Sequence, residues 1–184
     1  MKLLLLSLLL LLNFSYAKDA KIYISHKLVK SYYKQIGNWS KNQWLVAAKL
    51  YNICYKYDMG YTCVAIGWQE SHLGLYMVND RTKDYGLMGI NIYTYFQNHH
   101  LKNDYWYKQR IITKLIRNDD FNIEESINNL LGWRSMFNDN WIEIWAHYNG
   151  GNANPNYKYA NRIVNFLYSF KRYIRNHNIE LLFK

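Results

Sequence analysis

Apolar residues recur at three- and four-residue spacing in one stretch of this chain after another, and the single proline, Pro155, falls between two such stretches. That spacing builds one buried face on a helix, so the sequence favours a mostly α protein. Ser40-Lys41-Asn42-Gln43 is a capping box opening a helix that reaches about Tyr57. Trp44, Ala47, Ala48, Tyr51 and Cys54 or Tyr55 form its buried face. Gly60 breaks the chain before a second helix, where Val64, Ala65, Ile66 and Trp68 precede a stop at Gly74. These two helices are the expected core hairpin. Residues 75–85 are polar and read as a surface loop or hairpin, and Ile92–Phe96 as a short helix or turn. Asn103-Asp104 caps a helix from Tyr105 to Arg117. Asn122-Ile123-Glu124-Glu125 caps the next, with Glu125 reaching back, and that helix runs through Phe137. Trp141–Tyr148 follows and stops at Asn149-Gly150-Gly151. Asn154-Pro155 starts the last helix, whose stripe of Tyr159, Ile163, Phe166, Phe170 and Ile174 reads as core packing.

Residues 1–17 stand apart. Lys2, the apolar run Leu3–Leu12 and the small residues Ser15 and Ala17 make a secretory signal peptide cut after Ala17. The run is short for a membrane span, no cysteine follows the cut to take a lipid, and no other stretch is apolar enough to cross a bilayer. Residues 18–39 read as a lead-in with one short helix, 40–176 as a single domain and 177–184 as a tail. The formal net charge of +10 suits an anionic polymer of the cell envelope. Nucleic acid, the other usual partner of a basic chain, is disfavoured by export and by the lack of a nucleic-acid motif. Outside the reducing cytosol, Cys54 and Cys63 favour a disulfide across the hairpin turn over two buried thiols. His99 and His100 are adjacent, so on a helix they point about 100° apart and make a poor metal pair. Neither a metal nor a cofactor is expected.

One carboxylate, Glu70, sits near the end of the second helix among apolar neighbours. The partial negative charge of a helix C-terminus and the exclusion of water both raise a carboxyl pKa. A carboxyl kept protonated at a cleft edge is what a general acid for a glycosidic oxygen requires. After a short loop comes Gly86-Leu87-Met88-Gly89-Ile90-Asn91, whose glycines let backbone groups approach a ligand closely.

Taken with Ala146-His147-Tyr148-Asn149-Gly150-Gly151, the Glu70-Ser71 pair and this glycine segment resemble the three-part pattern of the SLT-type lytic transglycosylases. The small secretion-associated members, with Asp-Tyr-Gly-Leu-Met-Gln-Ile-Asn in the middle motif, are the most similar. The resemblance covers roughly residues 43–168 and implies an all-α, lysozyme-like single domain. It implies cleavage of the MurNAc-β-1,4-GlcNAc bond of peptidoglycan with Glu70 as acid and then base, closing a 1,6-anhydro ring without water. It places Tyr148 near the catalytic carboxyl, with its hydroxyl on Glu70 or the glycan, or satisfied locally. It places Gly86, Met88 and Asn91 near the groove, where Met88 offers either a core side chain or a backbone carbonyl to the sugar. Ser71 either bonds the Glu70 region or ends the helix, Asn149 shapes a turn, and Asn79 or Thr82 reaches the glycan. Gly89 departs from the pattern, standing where the family has a groove-lining glutamine.

Export and family analogy together imply a monomer of the periplasm or cell envelope that acts on glycan strands. By analogy it opens the wall for a secretion or conjugation apparatus. Three rivals remain: a muramidase that admits water with Asp80 or Asp84 as second carboxylate, a phage-type lysin, and a catalytically silent glycan-binding or scaffold protein.

Overall fold

A computed structural model describes residues 22–179. The signal-peptide reading of residues 1–17 and the last five residues of the expected tail lie outside the described residues. The fold is all-α: the described residues form eight helices, with three two-residue strands inserted between the third and fourth. In chain order these are α1 His26–Gly37, α2 Lys41–Tyr55, α3 Gly60–Ser71, β1 Val78–Asn79, β2 Asp84–Tyr85, β3 Ile90–Asn91, α4 Ile92–Asn98, α5 Tyr105–Arg117, α6 Asp119–Phe137, α7 Trp141–Gly150 and α8 Tyr157–Asn176.

The expected hairpin is α2 and α3. The capping box is present in both directions, Gln43 N–H donating to Ser40 Oγ at 3.3 Å and Ser40 N–H to Gln43 Oε1 at 3.0 Å. Gln43 also donates through Nε2 to the His72 carbonyl at 3.1 Å, tying the start of α2 to the end of α3. At the other end of the hairpin Cys54 and Cys63 are joined by a disulfide. Closing so short a loop in the unfolded chain is worth roughly 2–3 kcal/mol. Between these ties α3 is buried along most of its length, from Thr62 to Trp68 without a break.

The segment expected as a lead-in belongs to the domain. From His26 onward it is α1, whose buried face of Val29, Tyr32 and Ile36 packs on α8. Ser25 N–H donates to Asn165 Oδ1 at 2.7 Å and Ser169 Oγ–H to the Val29 carbonyl at 3.0 Å, so the contact is pinned by polar groups as well. The stripe on α8 is as the spacing predicts, with Tyr159, Ile163, Phe166, Phe170 and Ile174 all buried. Each such side chain contributes roughly 1.5–3 kcal/mol of gross burial energy. Trp39, Trp68 and Phe166 complete an aromatic centre, with ring centroids 5.3–6.2 Å apart.

Two helix starts differ from the sequence reading. The helix expected from Asn122 begins at Asp119, because Asn118 offers an earlier cap and accepts from Phe121 N–H at 3.0 Å. Asp119 and Asp120 then fill the first turn, where the dipole favours acids, and both pair with Lys49. Glu125 is therefore inside the helix, and it pairs with His99 instead of capping. The last helix begins at Tyr157, two residues beyond Pro155, because Asn156 accepts from Tyr159 N–H at 3.1 Å.

The segment between α3 and α4 folds as an antiparallel sheet in the order β1-β2-β3, with Asn79 opposite Asp84 and Asp84 opposite Asn91. A second, smaller hydrophobic cluster lies beneath it, formed by Tyr85, Ile90, Ile92, Tyr95, Phe96, Ile111 and Leu115. Among the described residues no helix is long and apolar enough to cross a membrane.

Candidate active site

A cleft of about 450 Å³ separates the large helical cluster from the small one. Glu70 and Tyr148 line it from the large side; Asp84, Gly89 and Asn91 line it from the sheet and its loop. Asn149 also lines it.

Glu70 stands in the last turn of α3. The residue is half-buried, yet its Oε1 is shut off from solvent and has no hydrogen-bond partner. Loss of hydration raises its pKa to about 7, and the negative charge of Asp84 adds to the rise. Tyr159, Arg162 and Asn149 act in the opposite direction without offsetting it. At neutral pH Glu70 therefore carries a proton in a substantial share of molecules, as its place in the sequence predicts.

Tyr159 is the residue that sequence reasoning missed. Its stripe reads as core packing, and its ring does pack there. Its hydroxyl, however, lies beside Glu70, so that each group shifts the acidity of the other. It too is buried with no geometrically closed hydrogen bond. Burial, first, and the nearby Glu70 charge hold it well above the ordinary phenol range, so it remains a neutral hydroxyl. Two buried polar atoms without partners, side by side, are poised to engage one another or a substrate. The available signal was the residue type: a tyrosine in an otherwise aliphatic and phenylalanine stripe needs somewhere to place its hydroxyl.

Tyr148 lines the cleft but does not bond Glu70. Its hydroxyl donates to the Met88 carbonyl at 2.8 Å, and burial pushes its pKa far above the usual value. The local alternative is therefore the one observed, and the partner is the glycine loop. Met88 has a fully buried side chain, and its carbonyl faces Tyr148 rather than the cleft.

Asn122, read as a helix cap, holds the other side of that loop. It is fully buried, accepts from Met88 N–H at 2.7 Å and donates to the Tyr85 carbonyl at 3.0 Å. Nothing in the sequence separates such an asparagine from a cap. Gly86 packs against it: a Cβ there would come within 2.2 Å of both Asn122 Nδ2 and the Leu115 carbonyl. Gly86 thus serves loop packing and lies outside the cleft. Ser71 is likewise structural, fully buried, donating to the Leu87 carbonyl at 2.8 Å and accepting from Gly74 N–H at 3.0 Å.

Gly89 lies directly against the acid. Its φ is +65°, and a Cβ there would stand 2.7 Å from Glu70 Oε2 and 3.0 Å from Glu70 Cβ. The glutamine of the family pattern would need both a strained backbone and a displaced Glu70.

The sheet side is ordered by amides. Asn91 donates through Nδ2 to Asp84 Oδ1 and to the Thr82 carbonyl, both at 2.8 Å, while its Oδ1 caps α4. Asp84 is thereby fixed on the cleft wall. Asp80 is not part of the cleft; it is exposed, accepts from the Tyr85 hydroxyl at 3.0 Å and lies near Lys83. Asn79 also stays outside, turned to Thr82 N–H, and Thr82 is the member of that pair which reaches the cleft. Asn149 accepts from Asn156 Nδ2 at 2.7 Å, consistent with shaping the turn after α7. His147, another residue not singled out in the sequence, lines the cleft with Nδ1 2.9 Å from the Gly151 carbonyl and its ring stacked on Phe137.

Set against known proteins, the chain matches no family model, no curated protein and no solved structure.

Proposed function

We propose that this protein is a peptidoglycan lytic transglycosylase, lysozyme-like in arrangement, with Glu70 as its acid and base. The observation that carries the reading is the state of Glu70: a water-deprived carboxyl with a pKa of about 7, beside the neutral Tyr159 hydroxyl, in an open cleft. In the first step Glu70 gives its proton to the glycosidic oxygen and the bond to the muramyl C1 breaks, with the N-acetyl group steadying the sugar cation. In the second, the Glu70 carboxylate takes the proton of the muramyl 6-hydroxyl, whose oxygen closes on C1. The acid is regenerated, no water is consumed, and no cofactor is needed. Glycan strands are the proposed partner, the envelope the proposed location, and wall opening for a secretion or conjugation machine the proposed role.

One observation favours a second reading. Asp84, and not Asp80, stands in the same cleft as Glu70, so the pair resembles the two carboxyls of a hydrolysing muramidase. A phage-type lysin would use the same chemistry, and a silent glycan-binding protein would use none.

Mass spectrometry of muropeptides released from purified peptidoglycan separates these. Anhydro products, lighter than the hydrolysed ones by one water and absent with Glu70→Gln, are expected. Hydrated reducing ends would replace the proposal with a muramidase using Asp84. Lysis that survives Glu70→Gln would remove Glu70 as the acid, and no release by the wild type would leave the silent glycan-binding reading.

A further inference from the structure

We infer that a smaller hollow beside the cleft binds the peptide stem of the substrate, holding a free amine of that stem on Glu125; this rests on the glycan reading of the cleft given above. The hollow measures about 210 Å³ and shares Ile90, Asn98 and Asn129 with the cleft as common walls. At roughly 30 Å³ of liquid per water it has room for about seven waters, the scale of one amino-acid side chain and its backbone.

Most of its lining residues are polar. Asn98, Asn128 and Asn129 supply primary amides, and Glu125 supplies a carboxylate. The Glu125 side chain is only 15% exposed, and one of its oxygens takes His99 Nε2 at 2.9 Å. An ionised carboxylate has about four acceptor positions, so this single contact leaves room for another donor. Asn98 donates to Asn129 Oδ1 at 3.3 Å, which leaves the Asn98 oxygen and the Asn129 amide hydrogens for a ligand. An acceptor and a donor side by side match the C=O and N–H of a peptide, and the carboxylate matches an ammonium. A neutral glycan offers no cation for Glu125.

The net charge of +10 repels a free amine at long range. The amine must therefore arrive tethered. A stem attached to the muramyl sugar in the cleft meets that condition, since a short tether supplies a high effective concentration to a weak site. A cross-linked stem, whose amine has become an amide, loses the contact.

The test uses the full protein on three forms of purified glycan strands, with stems intact, with their amines acetylated, and with stems removed by an amidase. Wild type is expected to cleave intact strands about tenfold faster than acetylated ones, the scale of one charge-assisted hydrogen bond. Glu125→Gln is expected to remove that difference, and the acetylated strands probe the same contact on wild-type protein. Equal cleavage of intact and acetylated strands, or a preference that survives Glu125→Gln, overturns the inference and leaves the glycan reading standing. An amine effect that persists after stems are removed places the amine on the sugar and also overturns it. No cleavage of any form removes the lytic reading on which the inference rests.

Discussion

The two hydrophobic clusters flanking the cleft are built differently, and each treats its carboxyl differently. The large cluster gathers helices from both ends of the described chain and surrounds Glu70 with side chains that exclude water. The small one is made from a nearly continuous stretch, Tyr85 to Leu115, under a sheet with two-residue strands. It presents Asp84 on a surface where the Asn91 amide donates to it. Dense long-range packing leaves one carboxyl short of water, and local amide bonding holds the other in place. Two otherwise similar groups are thus set in different environments.

The sharpest way to break this contrast is to neutralise each carboxyl in turn. Glu70→Gln is expected to lower product release by roughly 10²–10⁴-fold, the range for a lost general acid. Asp84→Asn is expected to cost far less, and equal losses would transfer half of the chemistry to the sheet side. A second contrast is thermodynamic. The folded pKa of Glu70, about 7, lies above the value of 4.5 for a free carboxyl, so the folded state holds this proton longer. Its contribution to stability is intact below pH 4.5 and is lost as pH rises through 7, a change of about 3 kcal/mol by pH 8. Melting of Glu70→Gln should therefore gain on wild type from pH 5 to pH 8, and a pH-independent gap would contradict the buried acid.

The joint between the clusters is Asn122, and Asn122→Ala strands Met88 N–H and the Tyr85 carbonyl. The expected loss is about 2–3 kcal/mol in denaturant unfolding; unchanged stability would show the loop is held by other means. The smallest stability effect is expected at the acid's neighbour. Gly89→Gln, which writes the family's residue into this chain, should cost about 1–2 kcal/mol for the left-handed backbone. It should also reduce activity by displacing Glu70. A gain in activity would mean the loop yields and that the glutamine was the missing ligand.

Much of this was legible in the chain. Helix periods, the Ser40–Gln43 box, the Cys54–Cys63 link and the place of Glu70 each depend on neighbours in sequence, and each is found where the spacing puts it. What escaped depends on distant partners. Tyr159 meets Glu70 from a helix far along the chain, and Asn122 meets Met88 across 34 positions. Ser71 and Gly86 lie in the motif segments yet face inward, because a motif records which residues a site needs without saying which of them touch the ligand. Asn118 and Asn156 cap α6 and α8 in place of Asn122 and Asn154, and residue type alone does not rank one asparagine above another.

The pairing of α1 with α8 sets an order of events. Residue 25 finds its partner 140 positions later, so the face of Val29, Tyr32 and Ile36 stays bare until the end of α8 has been made. Closing so long a loop is entropically slow, and the helices between can form while the domain as a whole remains open. The chain thus reaches its cooperative state last of all, and a nascent chain arrested ahead of Tyr157 should show helix by circular dichroism without a sharp melt. Until that helix arrives, Glu70 stands without the Tyr159 hydroxyl beside it.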